Sequence, residues 1–183
     1  MKIITVVGMP GSGKSTVLDR LHARGIPIFN MGDIVTKFEP SKRGIKESSE
    51  AIEHKIRTEL REMLGPAAIA IRTVEEIKKQ FKNSAVVAIG GIHSSDELNY
   101  FKKEFGSNLF SICLDCSPTT RLDRKKIRKE RPVNESEFWH REDWEKSVGI
   151  DYVMENADIH INNERTISDL LSQIDSILEE LGI

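Results

Sequence analysis

Gly8, Gly13, Lys14 and Ser15 follow the spacing Gly-x-x-x-x-Gly-Lys-Ser in the opening stretch "MKIITVVGMPGSGKST". Glycines at such positions admit backbone angles that side chains forbid. Successive amide N–H groups can then turn inward and form a nest for an anion. A helix starting near Gly13 aims its positive end at the same point. Lys14 can reach β- and γ-phosphates, and Ser15 can ligate Mg²⁺. Met9, Pro10, Gly11, Ser12 and Thr16 complete the loop. The flanks agree with this reading. Ile3, Ile4, Val6 and Val7 form an apolar run before the loop, and Val17, Leu18 and Leu21 recur at helical spacing after it. The pattern predicts that the loop binds the phosphates of a nucleoside triphosphate, ATP, together with Mg²⁺.

A second set of charged residues lies in "RLDRKKIRKERPVNESEFWHREDWEK". Arg121, Arg124, Arg128 and Arg131 recur at three- and four-residue steps, a helical spacing. Pro132-Val133-Asn134 breaks that helix, and another begins around Ser136 and Glu137, bearing Arg141. Two readings stand side by side. The run is a solvated basic face, or some of its arginines stabilise charge on a phosphoryl group during transfer. A nucleic-acid surface is the weaker third reading, because neighbouring acids balance the charge. Trp139 and Trp144 are explained by helical packing. Cys113 and Cys116 form a C-x-x-C pair with no second pair to complete a zinc site. Cys113 lies in the apolar run "LFSICLD" and reads as a small buried hydrophobe.

These side chains must be held by a scaffold, and the apolar pattern outlines one. Five short runs read as strands: 2–7, 26–29, 85–89, 109–114 and 157–161. Most lack alternation, as in parallel strands buried on both faces. Helical patterns separate them, which predicts a doubly wound α/β domain. The stretch 31–83 is longer than a crossover helix needs. Within it "PSKRG" reads as a loop, Ile52, Ile56, Leu60 and Met63 mark one helix face, and Gly65-Pro66 ends that helix. Val74, Ile77 and Phe81 mark the next. A helical arm is therefore expected between the second and third strands.

The 183 residues suit one domain. Hydrophobic content of 38% with 31% charged residues places the chain among globular proteins. A net charge of -2 provides no global attraction to nucleic acid or an anionic membrane. No apolar run reaches spanning length, and no signal peptide is read, so a cytoplasmic location is expected.

The chain resembles the adenylate-kinase-like branch of P-loop kinases, and within it the archaeal ATPases described as adenylate-kinase-related or dephospho-coenzyme A kinase-like. The resemblance rests on "GMPGSGKST", "MGDIV" at 31–35, "GIHSSDELNYFKKEFG" at 91–106, the arginine run, "HREDWEKSVGI" at 140–150 and "ADIHINN" at 157–163. It implies a three-layer P-loop NTPase fold whose five-stranded parallel sheet has the order 2-3-1-4-5. It also implies a substrate-binding arm at 31–83 and a small lid around 125–142. The stretch Asn162–Arg165, with Asn163 in contact with the nucleotide, would lie beside the base. Asp33 would position Mg²⁺ or the acceptor, with a simple helix N-cap as the alternative reading. The activity implied is transfer of the ATP γ-phosphate to a nucleotide-like small molecule, with Lys14, Asp33, Arg121, Arg124 and Arg141 as catalytic residues. Three positions depart from the pattern. Thr36 stands where relatives carry arginine, Gly90 replaces an aspartate at the third-strand tip, and His93 replaces a second arginine. These losses keep a second reading open: an ATP-binding sensor or weak ATPase.

Overall fold

A computed structural model describes residues 1–47, 49–127 and 134–183. Five strands form one parallel sheet: β1 (Lys2–Val7), β2 (Ile28–Asn30), β3 (Val86–Gly90), β4 (Leu109–Asp115) and β5 (Ile159–Asn162). Their order is β2-β3-β1-β4-β5, with every pairing parallel. Ile3, Ile4, Val6 and Val7 of β1 are all buried, because helices cover both faces of the sheet. Ile3, Val7, Phe29 and Ile89 pack with Val74, Ile77, Leu98 and Phe101 on one face. Ile4, Val6 and Ala88 pack with Val17, Leu21, Leu170 and Ile174 on the other. This is the three-layer arrangement that the sequence implies. Thr5 and Ser111, opposite each other on β1 and β4, satisfy one another inside the sheet through a 2.9 Å hydroxyl bond.

Parallel pairing brings the carboxyl ends of all five strands to one edge. The segments leaving β1, β2, β3, β4 and β5 therefore converge there. The strand order reverses at β1, which opens a crevice at that edge.

The helix after β1, α1 (Lys14–Ala23), packs with the last helix, α9 (Ile167–Glu180), through Val17, Leu21, Leu170 and Ile174. Between β2 and β3 come a π-helical turn (Ile34–Phe38), α2 (Glu39–Lys42), α3 (Glu50–Leu64) and α4 (Ala68–Gln80). The segment 40–44 is not the open loop expected: Pro40 stands in the first turn of α2, where proline's missing N–H is harmless. The buried Glu39 carboxylate anchors that turn by pairing with Lys42 (3.3 Å), Arg43 (3.6 Å) and Arg72 (3.8 Å). On α3, Ile56 and Leu60 are buried as expected, but Met63 is 69% exposed. Gly65, at φ 84, terminates that helix.

Helix α5 (Ser95–Phe105) follows β3, and α6 (Pro118–Lys126) follows β4. Next come α7 (Glu135–Ser147) and α8 (Ile150–Glu155). The α7 cap is Asn134, in a reciprocal box with Glu137, two residues earlier than the Ser136 start read from the sequence. Arg128 and Arg131, with Pro132 and Val133 of the breaker, lie outside the described residues, as does part of the 125–142 stretch. No helix among the described residues is long and apolar enough to cross a membrane.

One buried ion pair ties α6 to α7. Arg121 donates from Nη1 and Nη2 to the two oxygens of Glu142, both at 2.6 Å. Its side chain is 2% exposed and that of Glu142 4%. Nε donates to the Cys116 carbonyl at 2.9 Å, and the guanidinium lies 5.5 Å from the Phe138 ring centroid. Removing one partner strands a buried charge. Arg121→Ala is therefore expected to lower the unfolding free energy by about 3–5 kcal/mol in urea denaturation. The paired change Arg121→Met with Glu142→Leu should recover most of that loss.

Candidate functional site

The loop after β1 has the geometry its glycines foretell. Gly8 has φ +142 and Gly13 φ +101. A Cβ on Gly8 would lie 2.8 Å from the Leu114 carbonyl, and one on Gly13 would lie 2.5 Å from Asn163 Nδ2. Both positions exclude a side chain on steric as well as conformational grounds. Asn163, just past β5, donates from Nδ2 to the Ser12 carbonyl at 2.7 Å, and its N–H donates to the Asp115 carbonyl at 2.8 Å. It braces the loop from below, which corrects its reading as a nucleotide contact: the side chain is buried and its amide is committed to the loop. Arg121 also braces the loop, from α6, its Nη1 donating to the Pro10 carbonyl at 3.3 Å.

Lys14 Nζ donates to the carbonyls of Gly8 (2.6 Å) and Met9 (3.1 Å). Among the described residues it forms no ion pair, so a largely desolvated ammonium is held by neutral acceptors alone. A polyphosphate would supply the missing negative charge, and the glycine cradle leaves room for it. Burial pushes the Lys14 amine down to about 8, with Lys125, Arg141 and Arg121 repelling the charge while Glu145 favours it.

A cavity of about 420 Å³ opens over the loop. Its walls are Pro10, Gly11, Gly13, Lys14, Ser15 and Thr16, with Arg124, Lys125, Arg141, His93 and Glu145 facing them. Arg124 and Arg141 are thus brought to the phosphate loop. Arg124 Nη2 also donates to the Asn163 carbonyl at 2.9 Å. Arg121 is not brought there: both of its terminal nitrogens bind Glu142, and it lies beneath the loop. The reading of Arg121 as a phosphoryl-facing cation is corrected to that of a buried brace. Helical spacing placed it on the same face as Arg124, but the position nearer the helix start points into the core.

The acceptor and metal sides also differ from expectation. Asp33 lines neither this cavity nor its neighbour. Its side chain makes no cap bond, and its carboxylate accepts from Lys37 Nζ at 3.0 Å. Ser15, exposed at the start of α1, lines the phosphate cavity and a smaller one of about 350 Å³ that Asn30 and Asp19 share. Its hydroxyl suits one position of an Mg²⁺ ion that keeps several waters. At the third-strand tip a Cβ on Gly90 would meet Leu18 Cδ1 at 2.7 Å and Asn30 Oδ1 at 3.2 Å. An aspartate there would have to displace Leu18, so the glycine belongs to a repacked tip.

A larger cavity of about 600 Å³ adjoins the first, and His93 and Arg141 line both. Arg57 and Arg61 of α3 also line it, with Trp144 of α7. Trp144 is half exposed, so it serves as a cavity wall and not as core packing. Glu145 is the residue that sequence reasoning missed. It is 1% exposed, within 2.6 Å of His93 Nδ1 and 3.7 Å of Arg141 Nε. A fourth cavity, about 560 Å³, is lined by Asn162, Glu164 and Arg165 near the start of α9. Cys113 is fully buried, and burial pushes its thiol up to about 12. Cys116 accepts from Arg124 Nη1 at 3.3 Å.

The Lys14 shift carries a proton linkage. Bound phosphate favours the ammonium and raises its pKa, so binding takes up a proton wherever the empty protein has lost one. Affinity for ATP is therefore expected to fall as pH rises above about 8. Calorimetry at pH 9 in two buffers of different ionisation enthalpy should show proton uptake, and Lys14→Met should abolish it.

Comparison with known proteins agrees with this architecture. Residues 4–147 match the family model described as AAA domain. The UPF0200 protein PH1008 of Pyrococcus horikoshii is 34% identical over 182 residues, covering 98% of this chain and 97% of that protein. Shikimate kinase from Aquifex aeolicus superposes with a TM-score of 0.54 at 22% identity, covering 99% of this chain and 98% of that one. A gluconokinase from Sinorhizobium meliloti gives 0.60 at 14% identity, covering 98% and 93%. The two structures share the fold, a P-loop kinase-like one. By sequence the chain belongs to the AAA domain family and, at this identity over its whole length, to the UPF0200 proteins.

Proposed function

We propose that the protein is an ATP-dependent small-molecule kinase. One observation carries the reading: the cavity over the phosphate loop and the larger cavity beside it meet at His93 and Arg141. Donor phosphates in the first cavity and an acceptor in the second would meet at that junction. Lys14 and the loop amides hold the β- and γ-phosphates, and Ser15 contributes to Mg²⁺. When bound, Mg²⁺ neutralises phosphate charge. Arg124 and Arg141 stabilise the charge that spreads over the transferring group. Asn162, Glu164 and Arg165 border the base while Asn163 holds the loop from inside, and segment 31–83 acts as the acceptor arm. Asp33, paired with Lys37 outside both cavities, drops out of the assignment.

The acceptor class is nucleotide-like, a nucleoside monophosphate or dephospho-coenzyme A. The adenylate-kinase-like motifs support this, as does the size of the second cavity, which is ample for a small ligand. Arg57, Arg61 and Arg141 replace the cations missing at Thr36 and His93. Lys37 and Arg72 do not serve this purpose, being paired with Asp33, Glu39 and Glu75. The second reading, an ATP-binding sensor with little transfer, is favoured by the Leu18-filled strand tip.

The deciding experiment is a Mg²⁺-ATP transfer assay against nucleoside monophosphates and dephospho-coenzyme A, with hydrolysis measured alongside. Arg141→Ala is expected to lower kcat by about 100-fold while changing ATP affinity only a few-fold, because it acts where charge develops. Lys14→Ala should weaken ATP binding itself. Tight ATP binding with no turnover of any kind would favour the sensor.

A further inference from the structure

The junction of the two cavities holds a pair of side chains that phosphate binding does not use. His93 Nδ1 lies 2.6 Å from Glu145 Oε2. The Glu145 side chain is 1% exposed and that of His93 36%, so the pair runs from the interior to the cavity surface. The His93 backbone is held as well: its N–H donates to Glu97 Oε2 at 3.0 Å, the same carboxylate that caps α5. Trp144 stands 6.3 Å from the imidazole, ring centre to ring centre.

Burial opposes charge on Glu145, but the His93 bond, aided by Arg141 and Lys14, outweighs it and holds the carboxyl below the usual range. A carboxylate at Nδ1 makes that nitrogen the donor and leaves the Nε2 lone pair available. The buried charge then stabilises the imidazolium when Nε2 takes a proton, the logic of a carboxylate-oriented catalytic histidine.

The two kinds of acceptor differ in their need for such a base. A phosphate oxygen is already ionised near neutral pH and attacks without losing a proton. A hydroxyl must give up its proton as the new bond forms. Arg57 and Arg61, four residues apart on α3, line the same cavity, and among the described residues their side chains make no ion pair or hydrogen bond. They suit an anionic group on the acceptor. We infer that the acceptor is a small anion bearing a reactive hydroxyl, that His93 is the catalytic base, and that Glu145 is its positioning residue. This rests on the kinase reading above. The hydroxyl oxygen forms a bond to the γ-phosphorus as the bond from that phosphorus to the β–γ bridging oxygen breaks. The bridging oxygen leaves with its electron pair as ADP. The hydroxyl proton passes to His93 Nε2 and then to solvent. The products are a phosphate monoester, ADP and one proton.

The test uses the full chain with Mg²⁺-ATP and three probes: CMP, dephospho-coenzyme A and water. CMP offers a phosphate and ribose hydroxyls within one molecule, and phosphorus NMR separates CDP from a 2′- or 3′-phosphomonoester. Transfer to a hydroxyl of CMP or of dephospho-coenzyme A is expected. His93→Gln should lower its kcat by about 100-fold or more without changing the KM for ATP, and imidazole should partly restore His93→Ala. Glu145→Gln should lower kcat with the KM for ATP unchanged, and Glu145→Asp should restore part of the loss, as expected of a residue that orients the imidazole. Transfer confined to the CMP phosphate, or hydroxyl transfer indifferent to His93, would overturn the acceptor assignment alone; ATP binding with hydrolysis only, or with no transfer to any probe, would overturn the kinase reading as well. Failure to bind ATP would overturn the kinase reading and this assignment together.

Discussion

The arrangement of the site depends on one buried ion pair. Arg121 and Glu142 neutralise each other in the space between α6, α7 and the phosphate loop. The planar guanidinium meets the carboxylate with two parallel bonds, which fixes direction as well as distance. The same guanidinium donates to Pro10 and Cys116 carbonyls, so the loop, the end of β4 and α7 share one anchor. Arg141 and Glu145 flank Glu142 on α7, one residue before and three after. Once Glu142 is held, both neighbours are aimed at the cavity edge. Arg124, one turn beyond Arg121, is aimed at the loop in the same way. The anchor lies deep enough to escape solvent screening, unlike the exposed pairs of α3 and α4.

Above that anchor the field is positive by design of placement rather than of composition. The chain carries a net charge of -2, yet Lys14, Arg124, Lys125 and Arg141 share one cavity with a single carboxylate, Glu145. Glu145 answers to His93 and Arg141 and moderates the repulsion on Lys14. Concentrating cations at a helix N-terminus and an amide nest suits a polyphosphate. The acids that balance the total charge lie elsewhere, many of them paired within α2–α4 or capping helices.

Two of the positions at which the chain departs from the motifs it resembles, Gly90 and His93, have partners in space. Gly90 and Leu18 form a pair: the strand tip lacks a side chain because α1 fills the space. His93 and Glu145 form another pair, an imidazole with its own carboxylate. A substitution that looks like a loss along the chain becomes a change of chemistry once its partner in space is known.

Legibility in the sequence tracked the distance over which each feature is built. The phosphate loop was readable because its glycines, Lys14 and Ser15 are contiguous, and backbone angles are a local property. The three central strands were readable because burial on both faces leaves unbroken apolar runs, and Gly65-Pro66 announces a helix end by itself. Burial of Ile56 and Leu60 also follows from local periodicity. Helical spacing, however, states only which residues share a face, not what that face meets. It therefore grouped Arg121 with Arg124, although one points into the core and the other at the loop. It gave no sign that Arg57, Arg61 and Trp144 border one cavity. The His93–Glu145 pair joins residues 52 positions apart, and the two separate motifs that carry them give no sign that they meet. Local backbone chemistry thus determined the phosphate loop, the strands and the helix ends. Only the packing of α6 and α7 against the sheet edge decided which charged side chains face the cavities, because that orientation is set by contacts distant in sequence.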